Sequence, residues 1–127
     1  MTVAKSVLVI EDDEDVRLLI MKRMSNLGFD ARGAATGEEG MQLAAGEPTP
    51  DLVVLDIVLP GIDGWEVLRR LRSDTRLAQV PVLVTSIRDP NGGGQPDGYL
   101  VKPFRASRLE AEVGRLVGPP MTERVQA

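Results

Sequence analysis

The chain of 127 residues contains no cysteine and no histidine. Without cysteine there is no disulfide, no thiolate nucleophile and no sulfur-ligated metal. Without histidine the usual general base and the commonest metal ligand are also missing. Any metal must then be held by oxygen, and any nucleophile must be a hydroxyl, an amine or a carboxylate. No apolar run is long enough to span a bilayer, and the first residues, MTVAKS, lack the apolar core of a signal peptide. A cytoplasmic protein with no membrane partner is expected. Basic charge is not in excess either: the formal net charge is −4, which argues against nucleic acid as a direct partner. The length suits one domain, large enough to bury a core without staples.

What the chain does have is alternation. Residues 6–10, SVLVI, are β-branched and apolar, and read as a strand buried on both faces. Five acidic residues follow, Glu11 to Asp15. Val16, Leu19, Ile20, Met24 and Leu27 then recur at helical spacing, with Gly28 placed to close the helix. Residues 29–34 form a weaker strand. Thr36 and Glu39 have the spacing of a capping box for a short helix ending near Gly46. Residues 52–55, LVVL, are a second buried strand, ending on Asp56. After the PGIDG turn, Trp65, Leu68 and Leu71 line a helix to about Arg72. Strands are predicted over 80–84 and 99–101, and Leu109, Val113, Leu116 and Val117 stripe a last helix. Residues 118–127 read as a frayed tail. Arg69, Arg70, Arg72 and Arg76 read as a solvated helix face.

Apolar strands alternating with helices give an α/β fold with a doubly wound parallel sheet. Ligands of such sheets bind beyond the carboxyl ends of the strands. Those ends carry Glu11, Asp12 and Asp13, then Asp56, Ser86 and Lys102. Acidic residues at a helix start are common for dipole reasons alone, but this edge also offers a hydroxyl and an ammonium. Converging carboxylates repel one another, and Mg²⁺, which takes oxygen ligands, relieves the repulsion. Asp56 is then a candidate covalent nucleophile, since carboxylates form aspartyl-phosphates.

Four stretches, VLVIEDD (7–13), LVVLDIVLPGIDG (52–64), PVLVTS (81–86) and GYLVKPF (98–104), resemble the receiver domain of two-component response regulators, the CheY-like family. The resemblance covers about residues 6–117. It implies a five-stranded (βα)5 fold over 1–117, with Asp56 accepting a phosphoryl group from a sensor histidine kinase or histidine phosphotransferase. It implies Mg²⁺ held by Glu11, Asp12, Asp56 and the Val58 carbonyl, and Asp13 in the lesser role of a helix start. Ser86 is the switch hydroxyl, chosen over Thr85 because Pro81 lies five residues before it and because strand parity turns Thr85 elsewhere. Tyr99 is the switch aromatic, Lys102 binds a phosphoryl oxygen, and the Lys102–Pro103 bond is cis. No enzymatic activity beyond the domain's own phosphorylation and slow self-dephosphorylation is implied, and a monomer or weak dimer is expected.

Three departures qualify the resemblance. Only residues 87–97 are left to connect the fourth and fifth strands, at the lower limit of about 10–12 residues for a parallel crossover with its helix, so a helix of two or three turns plus entry and exit loops does not fit comfortably. The stretch DPNGGGQP makes a helix worse still, at roughly 1 kcal/mol per interior glycine and roughly 3 per proline. The fourth helix of the fold is therefore expected to be missing or reduced to a loop over 88–97, which phosphorylation would reorder. Ile87 stands where the family has a small residue. Val58, two after Asp56, has no group to position an attacking water. The alternative reading is a phosphorylation-independent pseudo-receiver acting as an adaptor. A third reading, a Mg²⁺-dependent phosphatase with an Asp nucleophile, would need a second acid or base near Asp56, which Ile57 and Val58 do not supply.

Overall fold

The computed structural model describes residues 1–87 and 94–123. In chain order the elements are β1 (Thr2–Ala4), β2 (Ser6–Ile10), α1 (Glu14–Leu27), β3 (Asp30–Ala34), α2 (Gly37–Ala45), β4 (Leu52–Asp56), α3 (Gly64–Ser73), β5 (Val82–Ser86), β6 (Gly98–Val101), α4 (Ala106–Val117) and β7 (Met121–Glu123). Five strands form one parallel sheet in the order β3-β2-β4-β5-β6. The strand order reverses between β2 and β4, so the crevice beyond their ends is where a ligand would sit.

Period-two alternation distributes the strand residues between two cores. Leu8, Ile10, Val53, Leu55, Val82 and Val84 pack with Val67, Leu68 and Leu71 of α3. Val7, Val9, Leu52, Val54 and Leu83 pack with Ile20 and Met24 of α1 and Leu109 and Val113 of α4. Both faces of β2, β4 and β5 are buried, which is why these strands read as unbroken apolar runs.

Helix boundaries follow their caps. The side chains of Asp13, Thr36 and Asp63 accept from the backbone N–H groups of Val16, Glu39 and Glu66, satisfying donors that a helix start leaves orphaned. Gly28 closes α1 with φ 106°, a conformation that costs glycine little. The Lys102–Pro103 bond is cis, as is Glu47–Pro48.

Three sequence expectations shift. The strand predicted over 80–84 lies at Val82–Ser86: Val80 is drawn into the turn after α3, its N–H donating to Leu77 O, while the polar Thr85 and Ser86 continue the ladder opposite Leu100 and Val101. Phe29 falls outside β3 because its N–H donates to Met24 O at the end of α1. The tail expected to fray includes Met121–Glu123, which instead pair antiparallel with Thr2–Ala4; residues 124–127 lie outside the described residues.

Among the described residues, no helix lies between β5 and β6. The loop expected over 88–97 is described only from residue 94, where Gly94–Pro96 have no regular structure; residues 88–93 lie outside the description. The crossover ends in an anchor. One carboxylate oxygen of Asp97, Oδ2, accepts from Arg72 at 2.7 Å and from Val82 N at 2.8 Å. Its backbone N–H donates to Val82 O at 2.9 Å, and its carbonyl accepts from Arg115 at 3.0 Å. Asp97→Ala is expected to cost about 1–3 kcal/mol, since it strands the Val82 N–H and the Arg72 guanidinium. Urea unfolding of the variant checks this, and a midpoint equal to wild type would contradict it.

Candidate active site

Glu11 directly follows β2. Its backbone is held from two sides: its N–H donates to Ala34 O at 3.0 Å, and its carbonyl accepts from Arg17 at 2.9 Å. The side chain is 1 % exposed. Asp12, next along, is exposed, and Asp13 turns away to cap α1. Asp56 ends β4 and is 5 % exposed. Its Oδ1 accepts from Val58 N at 3.2 Å. Carboxylate oxygens of Glu11, Asp12 and Asp56 lie within 4.8 Å of one another.

Lys102 follows β6 and reaches into this cluster. Its Nζ donates to Glu11 Oε1 at 2.5 Å and to Asp56 Oδ2 at 3.3 Å. Its backbone N–H donates to Ser86 O at 2.6 Å, tying the ends of β5 and β6 together. Burial pushes the Lys102 pKa down, but its bond to Glu11 and the charge of Asp56 outweigh this and raise it. The residue is a cation in the site.

The acids and Lys102 thus converge as the strand-end reading requires. Ser86 is buried at the end of β5, on the strand beside β4. Tyr99 lies directly across from Val84 and is half-buried against the α3-side core. Ile87 is 67 % exposed and Val58 64 %, so both side chains stand at the surface. Sequence reasoning missed two supports. Arg17 holds the Glu11 carbonyl. Gly64 lies so close to the Asp56 backbone that a Cβ would come within 2.4 Å of Asp56 O. Gly64 ends the PGIDG turn, but the turn pattern does not show how closely the Asp56 backbone approaches it, and Arg17 lies in no run or turn that announces its contact with Glu11.

Burial pushes the Glu11 carboxyl up to about 7, and its hydrogen bond with Asp56 adds to the rise while Lys102 opposes it. A raised carboxyl pKa means that the folded state holds a proton which the unfolded state has released. The stability this contributes is present below the ordinary value of 4.5 and is lost as pH rises through about 7. The metal-free protein is therefore expected to lose several degrees of melting temperature between pH 5 and 8. Glu11→Gln should flatten that decline, and thermal melts that fall equally in both proteins would contradict it.

The donor set fits Mg²⁺: the three side-chain donors are carboxylates, hard oxygen ligands, and one of them, Asp12, faces solvent. Glu11, Asp12 and Asp56 would hold the ion.

Residues 7–114 match the family model of the response regulator receiver domain. The chain is 38% identical over 114 residues to the transcriptional regulatory protein AfsQ1 of Streptomyces coelicolor, and 37% identical over 117 residues to the DNA-binding dual master transcriptional regulator RpaA of a Synechocystis species. These alignments take in 85% and 87% of this chain but 49% and 48% of the relatives, so the chain spans about half the length of the curated relatives it matches. One relative is named as DNA-binding, so the comparisons lend no support to the expectation that nucleic acid is not a partner. A putative response regulator from Chloroflexus aurantiacus superposes with a TM-score of 0.83 at 29% identity, covering 91% of this chain and 98% of that one. The receiver domain of a sensor histidine kinase from Pseudomonas aeruginosa, with a magnesium ion coordinated in its active site cleft, shares the fold with a TM-score of 0.84 at 23% identity, covering 91% and 99%. Among the described residues, no helix is long and apolar enough to cross a membrane. The match along residues 7–114, on a five-stranded parallel sheet whose edge gathers Glu11, Asp12, Asp56 and Lys102, makes the chain a member of the response regulator receiver domain family, a module of two-component signalling.

Proposed function

We propose that this domain is a phosphoacceptor, phosphorylated on Asp56 in a Mg²⁺-dependent reaction with a histidine kinase or histidine phosphotransferase. The observation that carries the reading is the Asp56 carboxylate, buried at a strand end, sharing Lys102 with Glu11 and converging with Glu11 and Asp12. An Asp56 oxygen attacks the phosphorus of the donor phosphohistidine. A P–O bond forms and the P–N bond breaks, its electron pair leaving on the imidazole nitrogen. In this reading the Lys102 ammonium shifts from Glu11 to a phosphoryl oxygen, and the Ser86 hydroxyl, on the neighbouring strand, donates to a phosphoryl oxygen of the same group. Mg²⁺, held by the three acids with the Val58 carbonyl as a further ligand, would neutralise charge on the transferring group.

The donor's approach is marked by a groove of about 550 Å³ that opens beside Lys102 and Ile87. Val16, Leu19 and Ile20 of α1 line one wall and Ala106 and Leu109 of α4 the other. An amphipathic donor helix laid there would cover Leu19 and Ile87, both exposed.

The test is incubation with Mg²⁺ and acetyl phosphate, read by intact mass. One phosphoryl adduct is expected. No adduct, together with no thermal shift on adding beryllium fluoride, would overturn the reading in favour of an adaptor.

Val58 sets the expected lifetime. Hydrolysis needs a water aligned on phosphorus, and the Val58 side chain has no polar atom to align one. Val58→Asn is expected to speed loss of the adduct by about tenfold or more. Equal decay of the two adducts, followed by mass after desalting, would show that the position is indifferent.

A further inference from the structure

The ribbon formed by β1 and β7 was absent from the sequence reading, and its contacts converge on the two helices that wall the groove. At one helix, Pro120 packs on Gly28, the residue that closes α1; a Cβ there would lie 3.3 Å from Pro120 Cγ. At the other, the Lys5 ammonium donates to the carbonyl of Val117, the last residue of α4. The Lys5 N–H also donates to Pro120 O at 2.7 Å, and its carbonyl accepts from Asp30 N at 2.9 Å. Lys5 thereby joins β1, β3, the end of α4 and the start of the ribbon. The ribbon is completed by the pairs Thr2↔Glu123, Val3↔Thr122 and Ala4↔Met121, with the N-terminal ammonium 2.9 Å from Glu123 Oε1.

We propose that this terminal ribbon is a strap: it fixes the far ends of α1 and α4 relative to each other, and so sets the width of the groove between them. Three features support a mechanical role. α1 and α4 are neighbours on one face of the sheet, sharing the core of Ile20, Met24, Leu109 and Val113. Their far ends flank a small open pocket of about 170 Å³ lined by Leu27, Phe29, Val113, Gly118 and Pro120, so direct packing there is incomplete and the ribbon supplies the link. The start of α4 also has no side-chain cap, while its last turn is held by Lys5 at the Val117 carbonyl and by Arg115 to Asp97 O. The inference rests on the proposed function only in naming the groove as the donor's seat; the strap itself is a matter of geometry.

Because the chain has no cysteine, Lys22→Cys on α1 and Ser107→Cys on α4 give two unique sites for nitroxide labels. Both positions are exposed. The distance distribution between the labels is measured by pulsed electron resonance in the otherwise intact chain, and again with Lys5→Met or Thr122→Pro added. Lys5→Met removes the ammonium bond to α4, and Thr122→Pro breaks the ladder. Broadening of the distribution and a longer mean distance are expected in both, with Lys5→Arg restoring the original distribution. Adduct formation from acetyl phosphate, which needs no groove, should be unchanged. An unchanged distribution in Lys5→Met, with circular dichroism showing a folded chain, would overturn the proposal even if Thr122→Pro fails to fold. Failure of the parent protein to form an adduct would instead overturn the phosphoacceptor reading and leave the distance test standing.

Discussion

Asp56→Asn is expected to abolish the phosphoryl adduct altogether. The substitution keeps the shape of the side chain and an oxygen for the Val58 N–H, which now donates to Asp56 Oδ1. What it removes is the anionic nucleophile. The neighbouring acids cannot substitute: Glu11 is buried with its proton held up to about 7 and its Oε1 occupied by Lys102, and Asp12 faces solvent without that cation. The mass of the variant after incubation with Mg²⁺ and acetyl phosphate should be that of the unmodified chain, and its thermal transition should not respond to beryllium fluoride. An adduct of undiminished yield would place the acceptor elsewhere, with Ser86 the first residue to examine.

Lys102→Met should be the next most damaging change. Lys102 is the cation between two buried carboxylates and the donor best placed to follow charge onto the transferred group. Removing one such preorganised donor costs about 100-fold or more in rate. Methionine preserves the length and apolar stem of the side chain, so the loss is electrostatic. Initial rates of adduct formation at saturating Mg²⁺ check the prediction, and a rate within a few-fold of wild type would remove Lys102 from the mechanism. The variant should also depend more strongly on Mg²⁺ for stability, because Glu11 and Asp56 then face each other with no cation of the protein's own.

The parts of the site that could be read in the sequence are those attached to buried strands. LVVL ends on Asp56 and SVLVI runs into Glu11; a strand buried on both faces announces itself, and the residue after it lies at the sheet edge by topology, as Lys102 does after the partly buried GYLV. The same logic erred by two residues at β5, where Thr85 and Ser86 are polar yet buried, so a pattern based on apolarity starts and stops early. Asp97 reads as a loop residue because its partners, Arg72 and Val82, are distant in sequence. Arg17 reads as one more charge on a helix, yet it is half-buried and bonded to the Glu11 carbonyl. The ribbon strands have three residues each, too short for any periodicity to show. What the sequence conceals here is pairing between polar groups outside any regular repeat, which depends on geometry and leaves no periodic trace.

That ribbon also has a place in the order of folding. The pair Thr2↔Glu123 closes nearly the whole described chain into one loop, at an entropic cost of about 4 kcal/mol plus a constant if the intervening residues were still a coil. Once the parallel sheet has formed, the same two segments are already neighbours and the cost largely vanishes. The ribbon is therefore the last element to assemble and the first to open. Substitutions in it should raise the unfolding rate while leaving the folding rate almost untouched.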